Sequence, residues 1–235
     1  MGLRSPRLVD RDAEIARLTE ALAGPPAVVV IEGEPGIGKT RLVHETLASP
    51  AAAGRKALVA ACPPFRQPYT LGAVVDAIRQ AADQVKGLRL TGLAGALRPL
   101  FPEWAADLPA ALEPAEDATA ARHRLFRALA ELLGCLQVTV LVIEDVQWAD
   151  DATLEFLLFL AAQGPRQMSL VVTHRREDTP VSSLLWRLPS RLPPGVTQVR
   201  LVLGPLDVAA TARLVSSMVD DRPVSDAFAA FLHRS

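Results

Sequence analysis

The chain has 235 residues, half of them apolar and 22% charged, a composition that folds around a sizeable core rather than staying disordered. Basic and acidic residues nearly cancel, 25 against 26, which leaves no overall electrostatic footprint for DNA or an anionic membrane. Cys62 and Cys135 are the only cysteines, too few for a disulfide framework or a four-cysteine zinc site, and they read as a reduced pair.

The N-terminus carries Arg4 and Arg7 with no apolar stretch after them, so it does not read as a secretory signal. Helical spacing of Ile15, Leu18 and Leu22 predicts a helix over 11–22, ended by Gly24-Pro25-Pro26. Ala27–Glu32 is a short β-branched run bounded by Pro26 and Gly33, as a buried strand should be. A helix is expected from Lys39 to Ala48 and a second strand over 56–61. Residues 63–120 are expected to hold helices near 71–86 and 93–98 among loops rich in Pro, Gly and Ala. A helix over 121–136 leads into the strand 138–143, the most hydrophobic of the chain. A helix over 152–162 and strands over 168–173 and 196–203 follow. The Pro-rich stretch 180–194 reads as loop with a short helix near 182–187. Helices over 207–219 and from Ser225 to His233 close the chain. The longest strongly apolar run, Phe156 to Ala162, is far short of the ~20 residues that span a bilayer. A soluble, cytoplasmic protein without membrane contact is expected. Strands that alternate with helices and read as continuous apolar runs predict an α/β fold with a parallel sheet covered on both faces.

Between the first strand and the second helix stands Gly33-Glu34-Pro35-Gly36-Ile37-Gly38-Lys39-Thr40, a full G-x-x-x-x-G-K-[ST] phosphate-binding loop. Its glycines allow backbone N–H groups to converge on phosphate oxygens in conformations that a Cβ resists. Lys39 brings a positive charge to the β- and γ-phosphates, and the Thr40 hydroxyl can ligate Mg²⁺. The helix N-terminus that follows adds its dipole. At the carboxyl end of the most hydrophobic strand come Glu144 and Asp145, where ligands sit in open α/β sheets. One carboxylate can hold Mg²⁺ while its neighbour orients or deprotonates a water; which does which is open. Asp150 or Asp151 reads as the N-cap of the helix near Ala152, and Trp148 as a packing residue. His44, His123, His174 and His233 show no metal-ligand spacing.

The run Val140 to Asp150 (VLVIEDVQWAD), together with GEPGIGKT, resembles the AAA-type ATPase module of the STAND class, as in large ATP-binding LuxR-family bacterial regulators. The segment Leu8 to Glu14 is similar to that class's opening hhGRxxE motif near adenine and phosphates, with Asp10 where glycine is usual. Cys62 with Pro68-Tyr69 resembles the segment after the second strand. Leu170 to Arg175 resembles a sensor strand ending in Thr-x-Arg, and Leu203 to Asp207 resembles the entry to a helical lid. The resemblance implies a P-loop core over 1–203 with five parallel strands in the order 5-1-4-3-2, and an incomplete lid over 204–235. The chain stops at His233-Arg234-Ser235, where the class usually continues into a Gly-x-Pro segment.

By the same resemblance, ATP or ADP would be held by Val9, Arg11, Glu34, Pro35, Gly36, Ile37, Gly38, Lys39, Thr40, Arg41 and Pro205. Glu144, Asp145 and Arg175 would be catalytic, Arg175 through the γ-phosphate, and Thr40, Glu144 and Asp145 would serve Mg²⁺. Three functions share these motifs. One is a slowly hydrolysing regulatory ATPase with protein partners or self-association. Another is a nucleotide-binding module without turnover. The third is a small-molecule kinase, which would need acceptor-side arginines such as Arg122 or Arg124. No helix-turn-helix is evident, so direct nucleic-acid binding is not expected, although a longer relative could carry a separate DNA-binding domain.

Overall fold

The computed structural model describes residues 8–64, 69–189, 192–219 and 224–233. Readings that involved Arg4, Arg7, Pro68, Arg234 and Ser235 lie outside the described residues. The described elements are α1 (Asp12–Ala23), β1 (Ala27–Glu32), α2 (Lys39–Ala48), β2 (Ala57–Ala61), α3 (Gly72–Arg79), α4 (Ala118–Cys135), β3 (Val140–Glu144), α5 (Asp151–Gln163), β4 (Ser169–His174), β5 (Thr197–Val202), α6 (Val208–Met218) and α7 (Asp226–His233).

The five strands form one parallel sheet in the order β2-β3-β4-β1-β5, which is the expected 5-1-4-3-2 order read from the other edge. Alternation along each strand divides the core. Val29 and Ile31 of β1, with Val140, Val142 and Val171, meet Leu18 and Leu22 of α1 and Leu42 and Val43 of α2. Val28 and Val30, with Leu141, Ile143, Leu170 and Val172, face the opposite layer, built on α3, α4 and α5. Every residue of β1, β3 and β4 is buried, which is why the middles of these segments read as apolar runs, with polar residues only at their ends. Each such branched side chain contributes about 1.5–3 kcal/mol on removal from water. β5 is an edge strand, and only Leu201 in it is buried.

The expected helix over 71–86 ends at Arg79. Gln80 turns its side-chain amide onto the backbone of β2, donating to Val59 O and accepting from Val59 N at 3.4 Å, so it occupies the open edge of the sheet in place of a further strand. The helix expected near 93–98 is a 3₁₀ helix, Gly92–Leu97, and its neighbours Phe101 and Trp104 stack with ring centroids 4.3 Å apart. The short helix expected near 182–187 is likewise 3₁₀, over Leu184–Arg187. Asp150, not Asp151, caps α5: its carboxylate accepts from Thr153 N at 3.0 Å and also from Leu71 N at 3.1 Å. That one side chain ties the β3–α5 turn to the start of α3. Cys62 and Cys135 are separate free thiols, and burial pushes the Cys62 thiol up to about 12, helped by Asp150 and Asp145. Among the described residues no helix is long and apolar enough to cross a membrane.

Candidate functional site

The phosphate loop bridges the end of β1 and the start of α2. Gly36 and Gly38 take φ of 76° and 104°, left-handed values that L side chains rarely adopt. Gly33 is required for a different reason. A Cβ there would stand 2.8 Å from Ile37 Cγ2 and 3.1 Å from Leu203 O, so the base of the loop lies directly against the chain leaving β5. Glu34, Pro35, Gly36 and Thr40 are exposed, Ile37 and Gly38 half-buried, and Lys39 buried. Lys39 Nζ donates to Gly33 O at 2.6 Å and Glu34 O at 3.0 Å, so the ammonium lies inside the loop's curve. Burial holds its pKa below the usual lysine value, against the opposing charge of Asp145. Arg41 lies along α2 and pairs with Glu45 at 2.9 Å.

The end of β3 places the two carboxylates in different surroundings. Glu144 continues the face of Val140 and Val142, which looks toward α2, and it is buried there. Burial holds its carboxyl above the usual range, while a hydrogen bond with Thr40 and the charge of His44 act the other way. Its Oε1 is buried with no hydrogen-bond partner. Asp145 leaves the strand in a left-handed conformation, φ 54° and ψ 45°, and turns toward the end of β4. Its backbone N donates to Thr173 Oγ1 at 3.0 Å. Its Oδ1 accepts from Gln147 Nε2 at 3.2 Å and lies 3.7 Å from Arg175 Nε. Glu144 is thus the carboxylate beside Thr40, and Asp145 the one beside Arg175.

Arg175 follows β4 directly. Its backbone N donates to Gln147 Oε1 at 3.2 Å and its Nη1 to Asp178 Oδ2 at 3.4 Å, while its Nε is buried without a hydrogen-bond partner. Arg122 and Arg124 stand apart from this group: Arg122 pairs with Glu155 at 2.5 Å, and Arg124 donates to Glu113 O at 3.1 Å.

A second group forms where the chain's beginning meets the segment after β5. Arg11 is buried, pairs with Glu14 at 3.1 Å and donates to Gly204 O, next to exposed Pro205. Asp10 adopts φ 56°, so glycine is the residue this position would ordinarily favour. Its carboxylate accepts from Arg213 Nη2 of α6 at 3.2 Å. Val9 is half-buried beside them.

Sequence reasoning missed two features. Gln147 was passed over as part of a loop motif. Glu32, read only as the last residue of β1, is 5% exposed, receives Arg200 Nη2 at 2.5 Å, and lies 3.6 Å from Arg176 and 3.8 Å from His174. A charged residue closing an otherwise apolar strand was the available signal. Burial pushes the Glu32 carboxyl up, but the hydrogen bond and charge of Arg200, with His174 and Arg176, outweigh it and hold the group below its ordinary value. His174, buried against Glu32 and edge-on to Trp186, is held below its ordinary value by that burial. Because the folded Glu32 carboxyl titrates below its unfolded value of 4.5, its stabilisation is present above pH 4.5 and is lost as pH falls further. Arg200 is half exposed, so the pair is worth about 1–2 kcal/mol rather than the full value of a buried one. Arg200→Ala is therefore expected to lower the melting temperature at pH 7 by about 2–8 °C. The difference from wild type should shrink below pH 4.5; an equal deficit at pH 7 and pH 3.5 would contradict this account of the pair.

Comparison with known proteins bears on the fold and on the family of the chain. Its fold is similar to that of the Aeropyrum pernix ORC2 protein in ADPNP-ADP complexes, at 16% identity and a TM-score of 0.56, over 92% of this chain and 53% of that one. It is also similar to AMPPCP-bound DnaA from Aquifex aeolicus, at 12% identity and a TM-score of 0.51, over 94% and 55%. An uncharacterized protein of Rhizobium meliloti (strain 1021) is 28% identical over 171 residues, 64% of this chain and 16% of that protein. The chain thus spans about half the length of the solved structures it matches and a small part of the curated relative. Residues 7–173 match the family described as AAA ATPase domain, a span that takes in both the phosphate loop and the acidic strand end and stops just short of Arg175. On that match this chain belongs to the AAA ATPase domain family.

Proposed function

We propose that this chain binds ATP with Mg²⁺ and hydrolyses it slowly, as the switch domain of a signal-transduction regulator of the STAND type. The observation that carries the reading is the separation of the two carboxylates. Glu144 meets Thr40 and keeps a buried Oε1 without a hydrogen-bond partner, and Asp145 stands apart from it beside Arg175.

Thr40 and Glu144 supply hard oxygen donors of the kind Mg²⁺ accepts, so they fit as its holders, with Asp145 near enough in sequence to join through water. When bound, Mg²⁺ supplies charge neutralisation at the β- and γ-phosphates. The rest is done by the chain. Loop N–H groups and the α2 N-terminus receive the phosphate oxygens, and Lys39 exchanges its bonds to Gly33 O and Glu34 O for bonds to phosphate. Glu34, Pro35, Gly36, Ile37, Gly38 and Arg41 shape that cradle. Asp145 orients the attacking water and takes its proton. Arg175 meets the γ-phosphate, releasing Asp178 and Asp145 as it does so. Val9, Arg11 and Pro205 flank the base. Adenine is supported by the ADPNP, ADP and AMPPCP held by the two similar folds.

The segment 1–203 acts as core, and 204–235, with α6 and α7, as the beginning of a lid. Arg11 joins them through Gly204 O, which gives the γ-phosphate state a route to partners. The test is to titrate the wild-type chain with Mg²⁺-ATP by calorimetry and follow phosphate release on the same sample. Saturable binding with turnover below about 1 s⁻¹ is expected. Binding without release would make this a module that signals by exchange, and no binding would sink the reading.

A further inference from the structure

We propose that Gln147 is the positioning residue of the hydrolytic site, clamping the Asp145 carboxylate to the backbone of Arg175. The inference rests on the reading above in which Asp145 handles the attacking water.

Asp145 sits in a left-handed conformation, uncommon for a non-glycine residue although aspartate tolerates it better than most. Thr173 fixes the backbone by accepting the Asp145 N–H. Gln147 fixes the side chain. Its amide spans two partners with opposite demands, donating from Nε2 to Asp145 Oδ1 at 3.2 Å and accepting at Oε1 from Arg175 N at 3.2 Å. A carboxylate only accepts and a backbone N–H only donates, so the chemistry fixes which end of the amide faces which partner. A single side chain therefore sets the direction of the carboxylate and the height of the arginine that stands opposite it.

The platform beneath Gln147 is firm. It lies in the 3₁₀ turn Val146–Trp148, closed by Trp148 N on Asp145 O at 3.0 Å and Ala149 N on Val146 O at 3.1 Å. Asp150 ends that turn with bonds to Thr153 N and Leu71 N. Glutamate at position 147 would keep the acceptor for Arg175 N but turn a carboxylate oxygen toward Asp145. Leucine would keep the bulk and lose both bonds.

In steady-state phosphate release with Mg²⁺-ATP, Gln147→Glu and Gln147→Leu are each expected to lower kcat by about 10- to 100-fold, the scale on which a misplaced catalytic group loses rate. ATP affinity and KM should stay within about twofold of wild type in Gln147→Leu and fall much less than kcat in Gln147→Glu, whose added anion repels the phosphates, a split that a general loss of structure would not produce. Thermal unfolding of both variants checks the fold, and isosteric Gln147→Glu carries the test should Gln147→Leu unfold. In the Asp145→Asn background, Gln147→Leu should cost little more, because the group it positions is already gone. Unchanged kcat in both variants, or a parallel fall in kcat and affinity, would overturn the clamp, as would losses that multiply in the double variant. If Asp145→Asn alone turned over like wild type, the role given to Asp145 would fail first and the clamp with it. An inactive Asp145→Asn beside an active Gln147→Leu would sink the clamp alone.

Discussion

Asp145→Asn is expected to bind Mg²⁺-ATP at least as tightly as wild type and to release phosphate about 10²- to 10⁴-fold more slowly, the range a positioned general base supplies. Asparagine keeps the shape and an oxygen that can accept from Gln147 Nε2, so the turn over Val146–Trp148 should survive. It cannot take a proton. The sign for affinity follows from charge: Asp145 is an anion close enough to Lys39 to oppose the effect of burial there, and removing it removes a repulsion toward the phosphates. Single-turnover phosphate release beside a calorimetric titration reads both quantities. Turnover near the wild-type rate, or affinity lost along with turnover, would refute the assignment.

Lys39→Ala is expected to weaken ATP binding by about 100-fold. Charge-assisted hydrogen bonds are each worth about 1.5–3 kcal/mol, but Lys39 must give up its bonds to Gly33 O and Glu34 O to reach phosphate. A net loss of about 3 kcal/mol corresponds to that factor. Burial makes the effect larger than an exposed lysine would give, because the alanine variant leaves the loop's carbonyls without their donor and the phosphates without a nearby cation. Titration with a fluorescent ATP analogue would show it. Affinity within tenfold of wild type would mean that the loop's N–H groups hold the phosphates almost alone.

The sheet and the phosphate loop were legible because their signals are local. β1, β3 and β4 are buried on both faces, so apolar residues run through their middles with polar ones only at their ends, and Gly36 and Gly38 occupy positions whose left-handed backbone favours glycine. The stretch from Gln80 to Leu108 was legible only in the short helix near 93–98, and there not as a 3₁₀ helix. Its residues serve tertiary ends, with Gln80 on the edge of β2 and Phe101 stacked on Trp104, and no helical or strand period records such uses. The acidic pair was half legible. Sequence places Glu144 and Asp145 at a strand end but not on opposite sides of it, and it takes the buried contact with Thr40 to tell them apart. Gln147 could not be found from sequence, because its meaning lies in Arg175, 28 residues further on. Asp10 is the converse: its departure from glycine was visible, and its φ of 56° shows what the departure strains.

The strand order also decides when the phosphate loop can come into being. β1 emerges early in synthesis, yet its neighbour β4 pairs with it across a separation of 142 residues, and β5 reaches Glu32 across 168. The opposite edge, where Thr139 meets Lys56, closes across only 83. Loop closure over longer separations is slower and less favoured, so the β2–β3 edge should knit first on the ribosome, with β1 waiting unpaired until β4 has been made. A nucleotide that recognises the finished loop has nothing to hold in any earlier intermediate. It can only trap the pairing of β1 with its two neighbours, which makes this site a late reporter of the assembled sheet.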